Sequence, residues 1–205
     1  MPPSSLEAHR THFEALFRSD DDPWGYDYVW TEEAKRRAVG AALGSQRVDR
    51  LLEIGCGNGA STMSLKRRSH AIDAIDGASV AVELARARTV RLHGCRVWQA
   101  EVPRELPPGP YDAIVATEIL YYLPRSMLLQ SLRRVKGALA PGGQLVVTAS
   151  IRPFSDRDVS NVDLFEMTRQ VFGPPDRRIT GGPWRLAVHR KPGRTTNDRG
   201  VWVRE

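Results

Sequence analysis

Cysteine is almost missing from this 205-residue sequence. Only Cys56 and Cys95 occur, which excludes a disulfide scaffold and a cysteine-based zinc module. Lysine is scarce as well, with four residues against 26 arginines. The net charge of +6 admits an acidic partner such as nucleic acid, but the basic residues are scattered and no run of five or six like charges occurs. A solvated surface accounts for them better than a nucleic-acid face does. No apolar run approaches the roughly 18 residues that cross a bilayer. Residues 1–17 lack the apolar centre of a signal peptide, so a cytoplasmic protein without membrane contact is expected. His70, His93 and His189 have no metal-ligand spacing. No metal is expected, and the five histidines should face solvent.

Hydrophobic residues (41%) and charged residues (26%) are present in globular proportions, enough for a core without wholesale disorder. The length favours one large domain. Between residues 50 and 148 short apolar runs alternate with helix-like stretches. Strands are expected at 50–54, 71–75, 96–101, 112–116 and 145–148. Helices are expected at 61–68, 78–91 and 125–139. In the last of these Leu128, Leu132 and Val135 recur at helical spacing, and Pro141-Gly142-Gly143 should end it sharply. Strands alternating with helices in this way imply a doubly wound α/β domain with a mostly parallel sheet. Residues 1–47 carry two helix-like pieces and read as a cap or lid, residues 48–190 as the main domain, and 191–205 as a polar tail in which Val201-Trp202-Val203 can form a final strand. A helix at 163–171 and a strand at 184–189 complete the pattern.

The sharpest signal is Glu53-Ile54-Gly55-Cys56-Gly57-Asn58-Gly59, where a strand runs into alternate glycines and then a helix. Glycine lets a backbone approach a ligand closely. Ligands of open α/β sheets sit at this edge. Asp76, at the end of the second strand, suits two ribose hydroxyls, so the ligand contains a nucleoside. The loop also satisfies the dinucleotide fingerprint G-x-G-x-x-A, which leaves an NAD-dependent oxidoreductase open. Glu53 argues against it, because a carboxylate beside the loop suits an ammonium group and repels a pyrophosphate. Little chain also remains after Ser150 for a substrate domain.

The run Leu51–Gly59, with Asp76 after it, resembles motif I of class I S-adenosylmethionine-dependent methyltransferases. Tyr111–Leu123 resembles their fourth strand and following loop, and Leu139-Ala140-Pro141-Gly142-Gly143-Gln144-Leu145 the turn before the fifth. Within that superfamily, Asp22-Pro23-Trp24 and Glu118–Leu123 most resemble the nodulation-protein S type of N-methyltransferase. The resemblance implies a Rossmann-like domain with a seven-stranded sheet, S-adenosyl-L-methionine as cofactor and S-adenosyl-L-homocysteine as product. It also implies roles. Gly55, Cys56, Gly57 and Gly59 would face the methionine and ribose, with Glu53 near the amino end. Asp76 would hold the ribose, Ala100 and Glu101 would lie by the adenine, and Thr117 below the methionine.

Methyl transfer from a sulfonium is an in-line displacement in which positioning dominates. An amine acceptor must also lose a proton to a nearby base. Glu118 and Tyr121 are the candidates for binding and orienting the amine, with Tyr122 beside them. Trp24, Tyr26, Tyr28 and Trp30 form an aromatic cluster next to three aspartates. Their faces attract a sulfonium or ammonium ion. Trp24 and Tyr26 are assigned to the cofactor, and Tyr28 and Trp30 to the substrate. Cys56 has no partner base nearby in sequence and reads as structural. Arg152, Arg157 and Arg185 read as surface residues. The expected function is methyl transfer to a small-molecule acceptor, an amine such as an amino sugar or secondary metabolite. A nucleic-acid methyltransferase is the alternative, disfavoured because no Asn/Asp-Pro-Pro-Tyr motif occurs.

Overall fold

The computed structural model describes residues 6–152, 157–193, 195–196 and 202–203. Two helices come first, α1 (Leu6–Ser19) and α2 (Trp30–Ala42). There follow β1 (Val48–Ile54), α3 (Ala60–Lys66), β2 (Ser69–Asp76), α4 (Ser79–Thr89), β3 (Cys95–Gln99) and β4 (Tyr111–Thr117). A 3-10 turn at Leu120–Tyr122 leads into α5 (Arg125–Ala138), β5 (Leu139–Ser150), α6 (Asn161–Phe172), β6 (Arg177–Thr180) and β7 (Trp184–Arg190). Seven strands form one sheet in the order β3-β2-β1-β4-β5-β7-β6. The pairings from β3 to β5 are parallel, while β7 runs antiparallel to both β5 and β6. The order reverses beside β1, which places the glycine loop at a topological switch point.

Side chains alternate across the sheet with the two-residue period of a strand. Leu52, Ile54, Ile75, Ile114 and Leu145 pack on one face against Leu128, Leu132 and Val135 of α5 and Leu164 of α6. Leu51, Ile72, Val115 and Val146 pack on the other, with Val39 of α2 and Leu65 of α3. Near the middle of β2, Asp73 is only 2% exposed. It accepts hydrogen bonds from Arg96 Nε (2.8 Å), Arg50 Nη2 (2.9 Å) and the Tyr111 hydroxyl (2.8 Å). Burial pushes its carboxyl up, but these donors outweigh it and hold the carboxyl below its ordinary range.

Several elements differ from the expectation. The helix over 125–139 ends at Ala138, and β5 starts at once and runs through Pro141-Gly142-Gly143. Residues 140–143 are accommodated as a bulge, with a register shift opposite Tyr111–Ala113. Strand β3 stops at Gln99, so Ala100 and Glu101 belong to the loop beyond it, where the Ala100 N–H is tied to the Asp76 carbonyl at 2.9 Å. Strand β6 has no apolar alternation to announce it, because its edge position leaves Arg177, Arg178 and Thr180 exposed. Trp202–Val203 does pair, with Thr195–Thr196 in a separate two-stranded ladder, and does not extend the main sheet. The rest of the expected tail beyond residue 193 lies outside the described residues. Two histidines are buried contrary to expectation. His189 Nδ1 donates to the Gly173 carbonyl (3.1 Å), and His9 lies on the buried face of α1.

Candidate active site

Strand β1 delivers Gly55, Gly57 and Gly59 in left-handed backbone geometry at φ 75°, 52° and 83°. Gly59 caps α3, and a Cβ there would stand 2.9 Å from the Ala85 Cα of α4, so only glycine lets the two helices meet. Gly57 instead faces a cavity, with the rings of Phe17 and Tyr26 opposite. The loop is tied to β2 throughout. The N–H groups of Gly55 and Cys56 donate to the Ile75 carbonyl (2.8 and 3.0 Å), and that of Gly57 to Asp76 Oδ2 (2.9 Å). Asp76 Oδ1 accepts from the Ala78 N–H at 2.9 Å. Burial raises the Asp76 carboxyl, and these backbone donors oppose the rise.

Three residues expected in the cofactor site do not present side chains to a cavity. Cys56 is buried against Ala74 and Ala85, and burial pushes its thiol far above the ordinary range, which leaves it inert. Gly59 is turned toward α4. Glu53 is buried beneath the loop, where it accepts from the Thr62 hydroxyl at 2.6 Å. Burial raises its carboxyl to about 8, against the lowering effect of Thr62. The folded chain therefore binds a proton on Glu53 that the unfolded chain has lost above pH 4.5. Stability should fall as pH climbs from that value toward 8. Glu53→Gln is expected to remove this part of the slope in thermal melts taken from pH 5 to 8. Parallel wild-type and variant curves would show that Glu53 does not hold the proton.

Two cavities open beside the loop. A narrow crevice of about 80 Å³ is lined by Ile54, Asp76, Gly77, Ala100, Glu101 and Tyr122, with His9 and Phe13 of α1 opposite. Arg10 of α1 reaches Glu101 across its mouth at 3.2 Å. The larger cavity, about 430 Å³, brings Gly55, Gly57, Asp76, Thr117, Glu118, Tyr121 and Tyr122 together with Trp24 and Tyr26. Most of the expected site residues thus meet along these two spaces. Tyr28 and Trp30 do not. They are 77% and 74% exposed, since the turn into α2 directs Val29 and Thr31 to the cavity and its neighbours outward.

Glu118 has φ 57°, the one non-glycine residue in the left-handed region among the described residues. Such a backbone is sparsely populated and is held only by strong local contacts. Here Oε2 accepts from the Ser150 N–H (2.6 Å) and the Tyr121 hydroxyl (2.7 Å), and Oε1 from the Thr148 hydroxyl (3.2 Å). Burial, and then the Glu118 charge, push the Tyr121 phenol far above its ordinary range, so Tyr121 keeps its proton and orients the carboxylate. Sequence reasoning missed Lys35, whose buried ammonium lies 2.9 Å from Glu32 and 3.5 Å from Glu118. It missed Ser150, Arg152 and Trp184 on the same wall too. Nothing in a helical pattern marks Lys35, because lysine on an amphipathic helix ordinarily faces water.

A doubly wound sheet carrying a nucleoside-binding loop at its switch point defines the class. A family profile described as a methyltransferase domain matches residues 52–145. The chain is 30% identical over 158 residues to ribosomal RNA small subunit methyltransferase C of Chromohalobacter salexigens, covering 71% of this chain and 46% of that protein. It is 30% identical over 123 residues to trans-aconitate 2-methyltransferase of Rhodopseudomonas palustris, covering 58% and 47%. The chain thus spans about half the length of these curated relatives. The crystal structure of N-methyltransferase NodS from Bradyrhizobium japonicum with S-adenosyl-L-homocysteine superposes with a TM-score of 0.81 at 25% identity, covering 89% of this chain and 98% of that one. The chain has the fold of the class I S-adenosylmethionine-dependent methyltransferases.

The residues present fit that family's cofactor. Gly57 leaves its side of the larger cavity free of a Cβ, the Asp76 carboxylate lines both spaces, and a buried ring nitrogen of His9 in the crevice has no partner among the described residues.

Proposed function

We propose that this chain is an S-adenosylmethionine-dependent N-methyltransferase acting on a small-molecule amine. When bound, S-adenosylmethionine supplies a methyl group already activated on a sulfonium. The chain's own residues then position and deprotonate. Asp76 would hold the ribose hydroxyls and Glu101 the adenine amine. Thr117 would lie below the methionine. Trp24 and Tyr26 form one wall of the larger cavity and shield the reacting groups from water. Their ring faces favour a cation. Tyr122 lines both spaces and would steer the acceptor between them.

The observation that carries the amine reading is the Glu118 carboxylate. It is fixed from two sides, lies in the same cavity as Gly55 and Gly57, and is joined there by a second carboxylate, Glu32. Glu118 would bind the acceptor's N–H and receive its proton as the new bond to carbon forms. A cavity of about 430 Å³ overlaid by the segment before α2 suits a small acceptor better than a nucleic acid. A carboxylic-acid acceptor is the second reading, favoured by Lys35 and Arg152 on the same wall.

Transfer of a labelled methyl group, assayed against small amines and small carboxylic acids, separates the two. Methylation confined to the amines is expected, and methylation confined to the acids would overturn the proposal. On the amine substrate found, Glu118→Gln should lower kcat by roughly 10²-fold or more. Its affinity for S-adenosyl-L-homocysteine should stay within about twofold of wild type. An unchanged kcat would remove Glu118 from the proton path.

A further inference from the structure

His9 is an anomaly on α1. It is 4% exposed on a helix whose Glu7, Arg10, Thr11 and His12 are exposed, and it lines the narrow crevice opposite Ala100 and Glu101. Its Nε2 lies 2.9 Å from Asp158 Oδ2. A carboxylate only accepts, so Nε2 carries the hydrogen, and in its neutral form the ring presents a lone pair at Nδ1. The ring is stacked on Phe13 (centroids 6.5 Å) and set edge-on to Tyr122 (5.6 Å), so it cannot turn freely. Nδ1 is buried and has no hydrogen-bond partner among the described residues. A buried acceptor left without a donor carries its full desolvation penalty, and native proteins rarely keep one without a purpose.

We infer that His9 is a cofactor-recognition residue that reads the adenine from the α1 side, its Nδ1 accepting a hydrogen bond from the exocyclic amine. That amine is the only N–H donor on the base. It has two hydrogens, and the crevice offers two acceptors on opposite walls, Glu101 beyond β3 and His9 on α1. Asp158 is then a positioning residue that sets the tautomer. The adenine pocket is consequently closed by a part of the chain outside the matched 52–145 segment. The inference rests on the family's cofactor and is independent of which acceptor is methylated.

Calorimetry on the full chain tests it with two ligands, S-adenosyl-L-homocysteine and S-inosyl-L-homocysteine, in which a carbonyl oxygen replaces the amine. His9→Phe should lose about tenfold in affinity for the first and less than about twofold for the second, as expected for one hydrogen bond. Equal losses for both ligands would reduce His9 to roof packing, and no loss for either would remove it from the site. Wild-type protein labelled with ¹⁵N-histidine gives an answer that does not depend on the variant folding. The His9 Nδ1 resonance should start as an unprotonated ring nitrogen and move upfield when S-adenosyl-L-homocysteine is added. A resonance that does not move overturns the inference. Failure of wild type to bind either ligand would overturn it together with the cofactor assignment, whereas failure of the amine panel would leave it intact.

Discussion

Asp76→Ala is expected to weaken binding of S-adenosyl-L-homocysteine by roughly 10²-fold or more, as measured by calorimetry. Two ribose hydroxyls donating to one carboxylate make charge-assisted hydrogen bonds, each contributing about 1.5–3 kcal/mol. Alanine also strips the acceptor from the Gly57 and Ala78 N–H groups, which hold the glycine loop against β2. Asp76→Asn separates the two contributions. Its remaining oxygen can still accept from one backbone donor, so its loss should fall between wild type and alanine. Near-wild-type affinity in the alanine variant would place the nucleoside elsewhere.

The second large effect concerns stability. Asp73→Ala should cost about 3 kcal/mol, the low end for breaking a buried ion pair, because the Arg96 side chain is 67% exposed and can turn to water. For a chain of this size that corresponds to roughly 6–12 °C in Tm. The depressed Asp73 carboxyl also fixes the pH window. Its contribution is present above the ordinary carboxylate value of 3.8 and is lost as pH falls through the lower folded value. Wild type and variant should therefore converge in strong acid. A constant difference in Tm down to pH 2 would show that the carboxylate charge contributes nothing.

The sequence was most readable where local chemistry and local geometry coincide. Gly55, Gly57, Gly59 and Asp76 lie within 22 residues and sit on one continuous strand-loop-helix-strand unit, so their spacing alone carries their geometry. Glu118 follows a strand end and is placed by that strand. Lys35 and His9 were not readable, because their partners Glu118 and Asp158 are 83 and 149 residues away along the chain (118 − 35 and 158 − 9) and are brought near only by packing. Tyr28 and Trp30 mislead for a related reason. Proximity in sequence to Trp24 and Tyr26 suggests one cluster, but the turn before α2 keeps those two rings on the cavity and leaves Tyr28 and Trp30 in water. The early start of β5 was hidden by Pro141-Gly142-Gly143, which ordinarily break structure and here are taken up in a bulge against β4.

The ties that bind the glycine loop to β2, and the contact of Gly59 with Ala85, lie wholly within the protein. The concave surface is thus already shaped when a ligand arrives. Little conformational entropy remains to be lost on association, so recognition here should resemble a key meeting a finished lock, with discrimination among nucleosides expressed mainly in how fast each one leaves.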